Sequence, residues 1–153
     1  MNFIRNICRI LTGVLFIYSG FVKGIDPLGS YYKFIDYFNA FHMSWMNGSA
    51  LFFSFVLALF EFIVGICLLL NIKTKTASWG VLVFMAVMTP LTLILAIKNP
   101  VSDCGCFGDA LTLTNWETFW KNLILLVLTL GIFLNRDKFR TIFNVLEQSI
   151  LII

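Results

Sequence analysis

The sequence predicts an all-α membrane protein, an up-down bundle of four transmembrane helices with amphipathic segments at both membrane interfaces. Of its 153 residues, 59% are hydrophobic and 12% are charged, whereas a soluble domain is about half apolar and about a quarter charged. The apolar residues also gather in four stretches, each close to the roughly 20 residues of helix that cross a bilayer. This composition excludes a soluble enzyme, a nucleic-acid-binding module and a disordered chain. The lipid bilayer is therefore the first partner we expect.

The chain reads as a single transmembrane domain, residues 1–153, whose predicted spans are residues 4–22, 50–70, 77–97 and 115–134. The first span lacks a convincing small-x-small cleavage site, so we expect a retained helix rather than a cleaved signal peptide. The uncharged core of the fourth span is short. Thr114 and Glu117 have the spacing of a capping box, which extends that helix back to Asn115. Lys121 then lies inside the span, and we expect it to snorkel to the nearer interface.

Two further segments are amphipathic and are predicted to lie along the membrane surface. Residues 29–46 carry a dense set of aromatic side chains between polar ones. Aromatic rings concentrate at the depth of the lipid headgroups, so this segment is expected to be a helix or a re-entrant piece on the outer face. Residues 137–150 show helical spacing of apolar side chains and are expected to anchor the chain at the inner face.

The distribution of positive charge predicts the orientation of the chain, because Lys and Arg accumulate on the cytoplasmic side of a membrane. One side is predicted to hold Arg5, Arg9, Lys73, Lys75, Arg136, Lys138 and Arg140, and the other only Lys23, Lys33, Lys98 and Lys121. We therefore expect a multi-pass membrane protein with both termini in the cytoplasm. The two longer loops then face the cell exterior or the periplasm.

The four cysteines divide into two groups. Cys8 and Cys67 lie in apolar sequence near the predicted cytoplasmic ends of their spans, where cysteine behaves as a small hydrophobe. Cys104 and Cys106 flank Gly105 in an outer loop, on the oxidising side of the membrane. A Cys-x-Cys disulfide closes a small, strained ring that adds little stability, and strained, exposed disulfides are labile. This favours a redox-active pair, while structural thiols, a bridge to another protein and metal ligation remain alternatives. Metal ligation is the weakest, because two thiolates supply only half of a tetrahedral site.

Glu61 lies near the middle of the second span, where a charged carboxylate is costly unless it is paired or faces a polar cavity. It is a candidate for passing protons or for bonding a quinone carbonyl during redox turnover. The alternative is a protonated carboxyl hydrogen-bonded to nearby hydroxyl groups to hold the bundle together. Pro90 predicts a kink in the third span. Lys23 is most simply an interfacial snorkelling residue, and His42, the sole histidine, an interfacial hydrogen-bonding group.

Two sets of residues resemble a known family. One set is similar to the DoxX family of small four-helix membrane proteins, and it consists of Arg9, Gly13, Ser19, Gly20, Lys23, Asp26, Pro27, Glu61 and Gly65. The other is similar to the MauE branch of that superfamily, and it is the loop Asp103-Cys104-Gly105-Cys106-Phe107-Gly108. The resemblance covers nearly the whole chain.

The resemblance implies a redox-associated inner-membrane protein with Cys104 and Cys106 as the redox pair and Glu61 as the acidic position of the second span. MauE acts with a thioredoxin-like partner on the disulfides of periplasmic methylamine dehydrogenase, and DoxX relatives include a subunit of a thiosulfate:quinone oxidoreductase. The resemblance does not identify the substrate of this chain. Unlike membrane thiol oxidases that relay electrons between two exofacial cysteine pairs, this chain offers one such pair.

The function we predict is support of periplasmic thiol–disulfide exchange through Cys104 and Cys106. The protein is then a thiol–disulfide oxidoreductase component that works with a thioredoxin-fold partner and with quinone as a candidate cofactor. Two alternatives belong to other classes. One is a non-catalytic assembly or scaffold subunit of a membrane complex, and the other is a small transporter or ligand-binding bundle centred on Glu61.

Overall fold

The computed structural model of the protein describes residues 2–101, 105 and 113–139, and these residues form helices joined by short turns. The helices are α1 (Asn2–Ile25), α2 (Pro27–Ala40), α3 (Ala50–Leu69), α4 (Thr74–Lys98) and α5 (Asn115–Leu134), with short 3₁₀ turns at Ser44–Ser49 and Arg136–Lys138. Four of them, α1, α3, α4 and α5, are long and apolar enough to cross a membrane. The predicted all-α membrane fold class is therefore confirmed. Most of the expected inner tail, from residue 140 onwards, lies outside the described residues.

The membrane-spanning helices alternate in direction. At one end, Arg9 at the start of α1 donates a hydrogen bond of 3.1 Å to the Leu69 carbonyl at the end of α3. At the same end, Lys75 at the start of α4 pairs with Asp137 just beyond α5, at 2.7 Å. We call this the arginine end and the opposite one the loop end. Contacts of α1 with α3, of α3 with α4, of α4 with α5 and of α5 with α1 close the ring of four helices.

Glycines bring the backbones of α1 and α3 into close contact. A Cβ atom added at Gly20 would lie 2.6 Å from the Phe62 amide nitrogen, and one added at Gly65 would lie 2.7 Å from the Ile17 amide nitrogen. Real Cβ atoms do not approach backbone atoms so closely, so only glycine fits at either position. Small residues at such crossings let membrane helices pack through their backbones.

Helix α2 begins at Pro27, directly after α1 ends at Ile25. The Asp26 carboxylate accepts a hydrogen bond from the Gly29 amide at 3.1 Å, and Pro27 occupies the first turn, where its missing N–H costs nothing. The helix then packs on α3 through Phe34 and Phe38, whose rings both lie 6.1 Å from that of Phe53. The segment expected to lie along the membrane surface is thus a helix that also covers one side of the bundle.

The two cysteines that the structure describes contribute to packing. Cys8 and Cys67 are free thiols, and both pack in part against the buried core cluster, which includes Leu68, Met85 and Ile132. This placement agrees with their expected behaviour as small apolar side chains.

Candidate functional site

A buried ion pair joins α1 to α3. The Lys23 ammonium lies 2.7 Å from Glu61 Oε2, and the two side chains are 4% and 6% exposed. The same ammonium donates a hydrogen bond of 2.7 Å to the Ser19 hydroxyl, one turn earlier on α1. The expectation that Lys23 snorkels to the interface is therefore wrong, and Glu61 is paired with a cation.

The close crossing of α1 and α3 explains why these two side chains meet. Helix α1 continues to Ile25, past the predicted end of the first span, so Lys23 lies inside the helix rather than beyond it. Gly20 lies nearly one turn before Lys23, and Gly65 one turn after Glu61. The backbone contact at the glycines holds the two turns at the separation that a lysine and a glutamate bridge.

The energetics of a buried pair make these two residues interdependent. Removing one partner from a buried ion pair leaves an uncompensated charge and typically costs about 3–5 kcal/mol. Replacing both partners by apolar residues of similar volume is often neutral in free energy. A pair kept in this setting is thus weak as a stability device, and ionisable groups inside a membrane protein are functional candidates by default.

The ion pair lies on the wall of a cavity between all five helices, with a volume of about 110 Å³. We call it the interior cavity. Most of its wall is apolar, with Phe16, Phe34, Phe84, Met85 and Met88 among its residues. Its polar lining consists of Ser19, Lys23, Ser30, Lys33, Tyr37, Glu61, Lys121 and Asn122. Lys121, expected to snorkel to the interface, lines this cavity.

Two polar side chains on the cavity wall differ in their hydrogen bonding. The Asn122 amide donates to the Thr92 hydroxyl at 3.4 Å. The Ser30 hydroxyl is buried, in a residue 3% exposed, and makes no hydrogen bond with any of the described residues. A buried hydroxyl without a partner costs about 1–3 kcal/mol. Ser30 thus offers the cavity a hydroxyl that no described residue satisfies.

Gly105, the midpoint of the Cys-Gly-Cys loop, also lines the interior cavity. It adopts a left-handed conformation with φ of 63°, which glycine takes at no steric cost. A Cβ atom added there would lie 2.6 Å from Cγ and 3.1 Å from Cδ of Lys33. The loop midpoint therefore rests on the aliphatic part of Lys33 in α2.

The structure places the other predicted candidates as follows. Cys104 and Cys106 lie outside the described residues. Pro90 lies on an exposed face of α4, which continues through it. His42 is exposed just after α2, in a left-handed conformation. Neither Pro90 nor His42 lines the interior cavity.

Sequence reasoning missed the cavity residues contributed by α2, above all Ser30 and Lys33. The sequence predicts this segment at the outer membrane face, where Lys33 is one of several polar positions, and its pattern does not indicate an interior cavity. Asn122, beside Lys121 in an apolar span, carried a usable signal, because two neighbouring polar residues inside a membrane helix indicate an interior face.

The chain is similar to a known protein family. A family model described as methylamine utilisation protein MauE matches residues 1–135. No curated protein and no solved structure matches the chain. The resemblance to MauE is thereby confirmed, and that to the wider DoxX family stays a prediction.

Proposed function

Because the chain belongs to the MauE family of small membrane proteins, we propose that it supports thiol–disulfide exchange through Cys104 and Cys106, together with an exported thioredoxin-fold partner. The proposal concerns the thiol chemistry and not the amine that the family description names. It places the protein in the bacterial inner membrane with the arginine end in the cytoplasm. The loop end then faces the periplasm, where disulfides persist.

The observation that carries the proposal is the position of Gly105, at the interior cavity and against Lys33. A glycine in a left-handed conformation is compatible with the tight ring that a Cys-x-Cys disulfide requires. The aliphatic part of Lys33 lies against this glycine, which is next to both cysteines in the sequence. The thiolate is the form that attacks a disulfide.

The exchange is a two-electron reaction. A thiolate of the pair attacks a disulfide of the partner, giving a mixed disulfide and releasing a partner thiolate. The second cysteine of the pair then attacks the mixed disulfide, so that the pair ends as a disulfide and the partner as a dithiol. The reverse sequence reduces the pair. Cys8 and Cys67 lie in the half of the bundle near the arginine end, so the second redox couple belongs to a partner or to a membrane quinone.

Glu61 has a supporting role in this proposal. Its carboxylate holds the Lys23 ammonium on the cavity wall at 2.7 Å. A carboxylate and an ammonium in contact exchange a proton over a short distance, which suits a reaction that moves electrons and protons together. We assign to the pair the handling of protons next to the redox loop.

Trapping of a mixed disulfide tests the proposal. With Cys106→Ser, attack by the remaining thiolate stops at the mixed disulfide, which non-reducing electrophoresis and mass spectrometry identify. We expect capture of an exported thioredoxin-fold protein by Cys106→Ser or Cys104→Ser, and none by the Cys104→Ser/Cys106→Ser double variant. The matched control, Cys8→Ser/Cys67→Ser, keeps the exchange. Absence of any adduct, with full pathway activity in the double variant, would instead support the assembly-subunit alternative.

A further inference from the structure

We propose that the arginine end binds an anionic phospholipid, whose phosphate lies between Arg5, Arg9 and Lys138. This inference goes beyond the proposed function, because it involves neither the cysteine loop nor the interior cavity. It starts from an excess of positive charge at this end of the bundle. Among the described residues, the arginine end has one acidic side chain, Asp137, and six cationic ones, namely Arg5, Arg9, Lys73, Lys75, Arg136 and Lys138.

Contacts within the protein engage some of these cations but leave Arg5 without a polar partner. Asp137 pairs with Lys75. Arg9 donates to carbonyls at the end of α3, and Arg136 donates at 3.1 Å to a carbonyl at the end of α5, as basic side chains commonly do at helix C-termini. The Nε atom of Arg5 is buried and makes no hydrogen bond with the described residues.

Arg5 and Arg9 bring two positive charges to one aromatic ring. They lie one turn apart on α1, and their guanidinium carbons are 5.0 and 5.7 Å from the centre of the Phe139 ring. Like charges at this helical spacing repel each other, and neither arginine pairs with a carboxylate of the described residues. The exposed Lys138 directly precedes Phe139. A phosphate among these cations offsets their repulsion, and guanidinium groups bind phosphate in bidentate fashion.

The apolar surroundings of Arg5 favour a lipid over a soluble phosphate. Phe3, Ile4 and Ile7 on α1 and Leu134 at the end of α5 are exposed apolar side chains. Helices α1 and α5 contact each other, and both are long and apolar enough to cross a membrane. Arg5 thus lies near the start of a span, where acyl chains cover the apolar side chains while a headgroup meets the cations. A headgroup with net negative charge suits the excess of positive charge, as at basic sites beside membrane helices.

Binding of dioleoylphosphatidylglycerol to the full-length protein in neutral detergent tests the site, with bound lipid counted by native mass spectrometry across a titration. Dioleoylphosphatidylcholine has the same chains and no net charge, and glycerol 3-phosphate has the phosphate and no chains. We expect the phosphatidylglycerol to bind more tightly than the phosphatidylcholine, and glycerol 3-phosphate not to displace it. Arg5→Gln should raise the Kd for phosphatidylglycerol about fivefold, the effect of one basic residue at an anionic surface.

The matched control is Lys98→Gln, which removes one charge from the loop end, where Lys98 is exposed in the last turn of α4. Its Kd should equal that of the unaltered protein. Arg5→Lys keeps the charge without the planar fork, so its Kd should lie between those of Arg5→Gln and the unaltered protein. The Tm without lipid reports whether each variant folds. Lys138→Gln alters an exposed side chain of the same site and should also raise the Kd about fivefold.

Equal affinity for the two lipids, or equal Kd values for Arg5→Gln, Lys138→Gln and Lys98→Gln, would overturn the lipid site. Displacement of the lipid by glycerol 3-phosphate would overturn it in favour of a soluble phosphate. Trapping of mixed disulfides is independent of these outcomes, so the lipid site and the proposed function fail separately.

Discussion

At the scale of single residues, the Lys23–Glu61 pair links membrane energetics to the candidate chemistry. Its two side chains are almost fully buried and bridge two different helices. Each neutralises the other in an environment where a lone charge is costly. Their position on the wall of the interior cavity then places a carboxylate and an ammonium beside the site that we assign to the redox reaction.

A double-mutant cycle at this pair measures how far the two charges depend on each other. Glu61→Met or Lys23→Met alone should lower the free energy of unfolding by about 3–5 kcal/mol, because each leaves a buried charge without its partner. Lys23→Met/Glu61→Met together should recover most of that loss. Unfolding of the unaltered protein, the two single variants and the double variant in detergent gives the coupling free energy between the two side chains. Additive losses would show that the charges act independently.

Single residues also show how much of the candidate site could be predicted from the sequence. The cost of a charge in the bilayer singled out Glu61 as functional or paired, and the structure shows the pair. It did not favour Lys23 as the partner, because the predicted first span ended before that residue and a contact with Glu61 would then require the two helices to be offset. Ser30 could not be predicted from the sequence, because the burial and the hydrogen bonding of a hydroxyl in an aromatic segment depend on the three-dimensional packing.

At the scale of helices, the crossing of α1 and α3 sets the register on which the ion pair depends. Gly20 and Gly65 admit the facing backbone where any Cβ atom would overlap it. Of the two close positions, Gly20 has a convenient comparison on its own helix. Gly24, one turn later, has no atom within 4 Å of an added Cβ.

Gly20→Ala should therefore destabilise the protein, whereas Gly24→Ala should not. Overpacking at a tight contact costs about 1–3 kcal/mol, while alanine in an open helical position gains up to about 1 kcal/mol over glycine. Thermal unfolding of both variants checks the difference. Similar Tm values for Gly20→Ala and Gly24→Ala would show that the close crossing does not hold the helices.

A second contact between elements lies at the arginine end, where Lys75 of α4 meets Asp137 just after α5 at 2.7 Å. The hydrogen bond and the positive charge of Lys75, with a smaller contribution from Arg136, hold the pKa of the Asp137 carboxyl below its usual value. A lowered carboxyl pKa stabilises the folded state above the pKa of the unfolded chain, about 3.9. That stabilisation is lost as the pH falls through the pKa of the folded state.

The Tm difference between the unaltered protein and Asp137→Asn should thus be constant from pH 6 to 8 and vanish in strong acid. It should also be small, because both side chains are about two-thirds exposed and exposed pairs contribute little. Thermal unfolding of both proteins from pH 8 down to strong acid provides the measurement. A difference that grows towards acid pH would mean that the carboxyl pKa is raised.

The helices were the most predictable part of the molecule. Long apolar stretches predicted four spans, and the structure has four helices long and apolar enough to cross a membrane. The Thr114–Glu117 capping box also forms as expected. The role of α2 was not predictable. Its aromatic side chains indicated a position at the membrane surface, but only packing against α3 shows that it also forms one wall of the interior cavity.

At the scale of the whole molecule, the two ends of the bundle differ in character. The arginine end concentrates positive charge, with Arg5 and Arg9 both stacked over Phe139 at 5.0 and 5.7 Å. The loop end carries Gly105 and the aromatic helix α2. The positive-inside tendency predicts that the arginine end faces the cytoplasm. In the orientation that we propose, the loop with Cys104 and Cys106 faces the oxidising compartment.

Labelling of intact cells with a membrane-impermeant maleimide tests that claim most directly, with the sites read by mass spectrometry before and after treatment with dithiothreitol. We predict that Cys104 and Cys106 are modified after reduction and resist modification before it, because they form an accessible disulfide. Cys8 and Cys67 should stay unmodified in both samples. Full modification of Cys104 and Cys106 without reduction would contradict the disulfide, and modification of Cys8 and Cys67 in their place would contradict the orientation.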